Sequence, residues 1–440
     1  MKFKVLQKFD FIIIFSVLIL TVMGVTFIYS SGIDYTGYLQ NKNYIKQIIW
    51  ASVGFVMMLV VALINYKRTS RYIKFIAPAM LLVLLYTMLW GATLNNAQSW
   101  IKIGGVFLQP AEFSKIIYIL FFAWFLEKSR NMGPQKRFAL SLLILIVPVG
   151  LILLQPDFGT AMVFIPIFLF MCLIAGIPLR YIAAVLFSGI LIIFFTVLPL
   201  WETYIYRKSV PIIRLLTNKK LFMVMAVALG AITLTGLLGF IFLKKKYFYW
   251  ITYVSGIILF GLLGSMAAGK VLKDYQIKRL IIFLNPNVDP MDAGWNIINS
   301  QIAIGSGGFS GKGFVMGTQS HYRFLPQQST DFIFSILAEE SGFLGCMVIF
   351  IAYIAILFRI IKTMRVVNDS YAVNICAGVL GLFLFHFLIN VGMVMGIMPC
   401  TGIPLPFVSY GGSAYLTNAA ALGLVMSARS RKLDFSLAYY

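Results

Sequence analysis

Apolar stretches of about twenty residues recur from one end of the chain to the other, with short polar connections between them. In hydrocarbon every backbone N–H and C=O needs a partner inside the protein, so stretches of this length cross a bilayer as α-helices. Composition agrees. Of the 440 residues 60% are hydrophobic and 11% charged, whereas soluble domains carry roughly 25% charged residues. The pattern predicts an all-α polytopic membrane protein with about twelve transmembrane helices. No soluble domain or long linker interrupts it, so residues 1–440 read as a single integral membrane domain.

The charge is lopsided, with 36 Lys+Arg against 14 Asp+Glu and a net charge of +22. In a soluble chain this excess would suggest nucleic acid. Here the basic residues sit mostly in short loops, where they orient helices and attract anionic lipid headgroups, so membrane lipids are the partners and nucleic acid is not. Lys2, Lys4 and Lys8 precede the first span, near 10–30; KSRNMGPQKR follows the fourth, near 110–127; Lys244, Lys245 and Lys246 join spans near 221–243 and 249–268; Arg429, Arg431 and Lys432 follow the last, near 412–427. The positive-inside rule then puts both termini in the cytoplasm. One segment runs against it. Residues 201–220, with Arg207, Lys208, Arg214, Lys219 and Lys220, fall outside, where they read as an amphipathic segment on the outer headgroups. Residues 270–330 form a long extracytoplasmic loop, and loops of that length are usually functional.

The chemistry-bearing residues collect on the outer side. Asp331 stands where a polar loop meets a membrane-length helix, a costly place for a carboxylate. It reads as a helix cap, as a base, or as both. Glu112 and Lys115 are three apart on one helix face, as a structural ion pair or as a cation held for a substrate anion. Trp100 lies in the first large external loop, where an interfacial anchor is the plainer role. Lys312, His321 and Arg323 precede Asp331; Ser409 follows a Pro-rich external turn. Glu339 and Glu340 lie about two turns below Asp331 without an assigned role. A base, several cations and irregular backbone at one leaflet suit a substrate with a lipid tail and a phosphate-bearing head. Cys172, Cys346, Cys376 and Cys400 show neither metal-type spacing nor a disulfide framework.

The segments AQSWIKIGG with QPAEFSK, LLQPDFGTA, DPMDAGWNIINSQIAIGSGG, GKGFVMGTQSHYRFLPQQSTDFIF with LAEESG, and TGIPLPFVSYGGS follow one another in this order. In that order they resemble the SEDS family of membrane glycosyltransferases, which polymerise peptidoglycan. The likeness covers most of the chain, and TGIPLPFVSYGGS and GTQS look like the elongation-type members that serve cell shape. The resemblance implies a multi-pass protein of the bacterial plasma (inner) membrane. It implies a polymerase with lipid II as both donor and acceptor, transferring with inversion, and a class B penicillin-binding protein, a monofunctional transpeptidase, as partner. The family's essential Asp falls on Asp331, as general base; its loop Trp falls on Trp100; its helix-borne Glu and Lys fall on Glu112 and Lys115. The departing diphosphate needs positive charge, for which Lys115, Arg323 and Lys312 are the candidates in that order. No cofactor is certain; a divalent cation (Mg or Mn) can share the task, though no ligand cluster in the sequence fixes one.

Two departures stand out. Charged residues and often His precede the family's Thr-Asp pair, whereas Gln327, Gln328 and Ser329 stand there here, and no role is carried to them. The family has about ten spans, so the extra pair reads as a two-helix insertion within 201–268. The competing class is a lipid-linked precursor flippase or transporter. It calls for charges at mid-membrane depth and inverted repeats, while the acids and bases here favour the outer rim.

Overall fold

A computed structural model describes residues 9–436 except 95–96, 207, 209, 272–273, 291–292, 323 and 325–326. The lysines of the first eight residues, and Arg323, lie outside the described residues. The chain divides into two compact units, Met1–Ile177 with Asn299–Tyr440, and Pro178–Ile298.

The first unit begins with α1 (Phe11–Ser30), α2 (Asn43–Leu63) and α3 (Tyr66–Trp90). A small sheet of β1 (Ala92–Leu94), β2 (Ala97–Ile103) and β3 (Val106–Leu108) follows, then α4 (Pro110–Lys128), α5 (Pro134–Leu154) and α6 (Phe158–Ile174). The second unit contains α7 (Leu179–Trp201), a π-turn at Glu202–Tyr206, α8 (Arg214–Thr217), α9 (Lys219–Leu243), α10 (Lys246–Val271) and α11 (Asp274–Leu284). The unit boundary falls inside α12 (Ala293–Gly307). The chain then completes the first unit with α13 (Thr318–His321), α14 (Ile333–Val366), α15 (Ser370–Val394) and α16 (Gly412–Ser436).

Among the described residues twelve helices have 17 residues or more, at the twelve places where the apolar stretches predict spans. Nine of them meet the length and composition of a membrane crossing. The multi-pass membrane fold therefore stands. Within the basic segment 201–220 the described residues form the π-turn and the four-residue α8. The loop between α3 and α4 differs from expectation, forming an antiparallel meander. Gly104 and Gly105 both take positive φ between the paired Ile103 and Val106, the geometry of a two-residue hairpin turn.

Local chemistry sets the helix starts. Asp10, Asp157 and Asp369 accept from Ile12 N, Thr160 N and Tyr371 N at the heads of α1, α6 and α15. Pro110 opens α4, where its missing N–H costs nothing. At the end expected to be cytoplasmic, the buried Asp10 carboxylate pairs with Arg359 (2.7 Å) and Arg429 (2.9 Å), tying α1, α14 and α16 together. The core of this unit is α15, packed against α4, α6 and α14. A Cβ at Gly381 would meet the Pro166 carbonyl at 2.9 Å, so the small residue is what admits this close approach.

The helix that follows Asp331 is broken. Gly342 takes φ 64° and ψ −160°, which divides α14 into a short piece and a longer one. The longer piece, 343–366, is about 36 Å long at 1.5 Å per residue, enough by itself to cross a bilayer. A break in hydrocarbon frees backbone groups that lipid cannot satisfy. The Gly-rich loop supplies the partners: Lys312 N and Gly313 N donate to the carbonyls of Glu339 and Glu340, while Phe343 N and Leu344 N donate to those of Gly308 and Phe309.

Candidate active site

Asp331 lies half-buried in a turn just before α14, whose cap position is held by Phe332 without a side-chain cap. The residue at the cap position is therefore the one that follows Asp331. Two contacts hold the turn. Tyr410 N donates to the Ser329 carbonyl (2.8 Å), bringing the TGIPLPFVSYGG loop against the segment before Asp331. Asn390 Nδ2, from α15, donates to the Asp331 carbonyl (3.0 Å) and to the Ile403 carbonyl (2.8 Å).

Glu112 and Lys115 stand in the first turns of α4, at 3% and 0% exposure, with Lys115 Nζ 2.7 Å from Glu112 Oε1. Lys115 Nζ also lies 3.5 Å from His386 Nε2. His386 Nδ1 in turn lies 2.9 Å from the Pro404 carbonyl. Thr160, Gly402 and Ile403 complete a small cavity beside these groups, with about 10 Å³ of free space, room for one water. Gln109 connects the neighbouring loops: its N–H donates to Ser413 Oγ (3.0 Å) and its amide to Asp157 Oδ2 (2.5 Å). Burial raises the Asp157 carboxyl above the ordinary carboxylate range, against the lowering effect of its hydrogen bonds with Thr160.

Glu339 and Glu340 also find partners. Both are buried at the break in α14. Glu339 Oε1 accepts from Lys312 Nζ (2.7 Å), Thr318 N (2.8 Å) and Gln319 N (3.1 Å). Glu340 accepts from Ser30 Oγ and Val315 N, with His321 Nε2 3.7 Å away. The two carboxylates fasten the loop 308–321 that leads to Asp331.

The residues singled out in the sequence therefore separate into groups. The Asp331 backbone carbonyl connects to Lys115 and Glu112 through Asn390, the Ile403–Pro404 stretch and His386. Ser409 is buried in the same loop, where its Oγ accepts from Leu405 N (2.8 Å) and shapes the turn. Lys312 sits at the helix break, engaged with Glu339. Trp100 is half-buried on β2, against the outer ends of α3 and α4. Among the described residues no group of three or more His, Cys, Asp or Glu could hold a metal ion. His386 and Asn390 are site residues that the sequence reading does not single out. The signal they carry is a His and an Asn four residues apart in an otherwise apolar span, and polar groups at that depth are functional candidates by default.

The comparisons decide the family. A family model described as a cell cycle protein, for FtsW, RodA and SpoVE, matches residues 10–220 and 206–433. This chain belongs to the FtsW/RodA/SpoVE family. It is 47% identical to a peptidoglycan glycosyltransferase RodA of Treponema pallidum (strain Nichols) over 433 residues, 98% of this chain and 100% of that one. It is 30% identical to the peptidoglycan glycosyltransferase MrdB of Escherichia coli (strain K12), covering 87% and 84% of the two chains. Among solved structures, a chain of a peptidoglycan synthase complex that coordinates polymerization and crosslinking matches with a TM-score of 0.66 and 23% identity, over 96% and 97% of the chains. The crystal structure of the Thermus thermophilus rod shape determining protein RodA matches with a TM-score of 0.59 and 21% identity, over 96% of each. At these identities the structures speak for the fold.

Proposed function

We propose that this chain is a peptidoglycan glycosyltransferase of the elongation type, which polymerises glycan strands from lipid II at the outer face of a bacterial plasma membrane. The observation that carries the reading is the continuous connection from the Asp331 turn through Asn390, Ile403–Pro404 and His386 to the Lys115–Glu112 pair. It ties the backbone of the Asp331 turn and a buried cation to one loop, which supports a base and a cation serving one site in transfer from a lipid diphosphate.

In the proposed reaction Asp331 takes the proton from the 4-hydroxyl of the acceptor's GlcNAc. The oxygen forms a bond to the anomeric carbon of the donor's MurNAc from the face opposite the diphosphate. The carbon–oxygen bond to the diphosphate breaks, its electron pair leaves with undecaprenyl diphosphate, and the configuration inverts. A hydroxyl is a poor nucleophile, and a positioned carboxylate contributes roughly 10²–10⁴-fold. Charge grows on the diphosphate as it leaves, so a desolvated cation counts most there. Lys115 fits this role best. Its ammonium has three donors, and Glu112 and His386 are its partners in the protein. Arg323 and Lys312 remain the next candidates, Lys312 after release from Glu339. Trp100 and Ser409 are proposed to shape the substrate surface. The partner is proposed to be a class B penicillin-binding protein, and both termini to be cytoplasmic. In the same reading α9 and α10 are an added pair within 201–268, and 270–330 is the catalytic extracytoplasmic segment.

The test uses the purified chain with its transpeptidase partner and lipid II in proteoliposomes. Glycan polymer is expected from the native chain. Asp331→Asn is expected to lose at least about 10²-fold in rate, with melting temperature and partner binding unchanged. Normal polymerisation by that variant would overturn the base assignment. Absence of polymer together with lipid II crossing the bilayer would favour the transporter class instead.

A further inference from the structure

We propose that His386 and Asn390 are positioning residues that hold the base and the cation at a fixed separation through one shared loop. The proposal rests on the glycosyl-transfer reading above and assigns two residues that reading does not require. His386 and Asn390 lie on one face of α15, four residues and about 6 Å apart along the axis. Both are fully buried, in a stretch otherwise made of Leu, Phe, Ile, Val, Gly and Met. Each side chain bridges two elements. Asn390 joins the Asp331 carbonyl to the Ile403 carbonyl. His386 joins Lys115 to the Pro404 carbonyl. Ile403 and Pro404 are neighbours, so the base-bearing turn and the cation are referred to two successive peptide units of one loop.

The hydrogen bonds define the chemistry of the histidine. A carbonyl oxygen only accepts, so in its bond to Pro404 the Nδ1 of His386 carries the proton. The lone pair on Nε2 then faces the Lys115 ammonium. Of the three Lys115 donors, one is placed on Glu112 and a second is aimed at His386, leaving the third for a substrate oxygen. Without His386 the long lysine side chain is steered by Glu112 alone. Without Asn390 two carbonyls lose their donor and the Asp331 turn keeps only the Tyr410–Ser329 backbone contact to the loop. Neither residue needs to touch substrate, so the effect falls on the geometry of the transition state rather than on lipid II binding. A misplacement on the order of 1 Å can cost about 10²-fold in rate.

The experiment measures kcat and KM for lipid II with the full chain and its transpeptidase partner. His386→Leu and Asn390→Leu are expected to lower kcat about 10- to 100-fold while KM stays within about 3-fold. His386→Gln, whose amide reaches as far as Nε2, is expected to recover part of the rate. His386→Asn, which keeps only the bond to the loop, is not. The chain has two histidines, so ¹⁵N-imidazole spectra resolve them. His386 is expected as the neutral Nδ1–H tautomer, with an Nε2 signal that moves in Lys115→Met. Native kcat in the leucine variants, with Asp331→Asn inactive, would overturn the positioning proposal and leave the reaction assignment standing. Activity in Asp331→Asn would remove the reaction assignment first. If the leucine variants fail to fold, the Gln–Asn pair and the spectra decide: equal rates for the two, or an Nε2 signal indifferent to Lys115→Met, overturns the proposal.

Discussion

Helices α15 and α9 are equally apolar by sequence, yet their surroundings are opposites. In its most apolar window 72% of α15 is buried inside the protein, against 6% of α9. In water these two would differ in periodicity, because one face would have to be polar. In a bilayer both lipid and protein interior are apolar, so hydrophobicity does not report burial. What separates the two helices is their minority residues. α15 carries Gly378, Gly381, His386 and Asn390, which are buried and either hydrogen-bond or admit a neighbouring helix. α9 uses its small residues toward α10, where Thr233 Oγ1 donates to Ser255 Oγ (3.0 Å) and a Cβ at Gly236 would stand 2.7 Å from Thr252 Oγ1, but a Cβ at Gly230 would meet nothing within 4 Å. The same composition thus serves a packed, polar-stitched core in one unit and a largely exposed element in the other.

The sharpest way to break this contrast is to remove half of a buried pair in the core. Glu112→Ala strands the Lys115 ammonium and is expected to destabilise the protein by about 3–5 kcal/mol, read as a fall in melting temperature in detergent. Glu112→Leu with Lys115→Met is expected to recover most of that stability, since a well-packed apolar pair replaces a buried ion pair at little cost. Polymerisation should stay lost in the double variant. Recovery of both stability and activity would make the pair a purely structural one.

A glycine comparison sharpens the same point at a smaller scale. A Cβ at Gly24 in α1 would stand 2.6 Å from the Val408 carbonyl, in the loop that reaches the Asp331 turn. Gly24→Leu is expected to cost about 1–3 kcal/mol by overpacking. Gly230→Leu in α9 has open space and is expected to change stability by less than about 0.5 kcal/mol. Equal shifts in melting temperature would mean that α9 is as tightly covered as α1.

The smallest effect is expected in the exposed loop between α1 and α2, where charge is held by hydrogen bonds without burial. Asp34 accepts from Thr36 Oγ1, Gln40 Nε2 and the N–H groups of Thr36 and Tyr38. The Thr36 hydroxyl and these other donors hold its pKa down at about 2, from an ordinary value of 3.8. A depressed folded-state pKa means the contribution is fully present above the unfolded value and is lost as pH falls through the folded one. The Tyr38 amide should therefore stay protected from exchange down to about pH 4 and lose protection between there and pH 2. In Asp34→Asn that protection should be weak and independent of pH over this window. Protection that follows the same pH curve without the carboxylate would show that Asp34 does not order the loop.

Much of the architecture is legible in the residues alone, because each apolar stretch carries its own length and its own flanking charge. Pro110 and the capping aspartates mark where α4, α6 and α15 begin. The Gly342 break is harder to read. The Ser341-Gly342 pair interrupts an apolar run only briefly, and a break is tolerable only because residues 308–313 return to satisfy its backbone. The meander after α3 reads as a loop, since its strands are short and lie beside membrane-length signals. In the candidate site, Asp331, Glu112 and Lys115 are visible as charges in costly places. His386 and Asn390 are not, because their meaning depends on carbonyls more than ten residues away in the chain.

By itself the sequence determined that this chain crosses a membrane many times, roughly where its helices lie, and which few charges stand near their ends. The reason is that hydrocarbon imposes length, internal hydrogen bonding and loop charge segment by segment. Only the tertiary structure decided which apolar helices face protein and which face lipid. It alone paired Glu339 with Lys312 and Glu340 with Ser30, and joined Asp331 to Lys115 through Asn390, one loop and His386. Those are contacts between segments remote in sequence, fixed by packing geometry that no local pattern encodes.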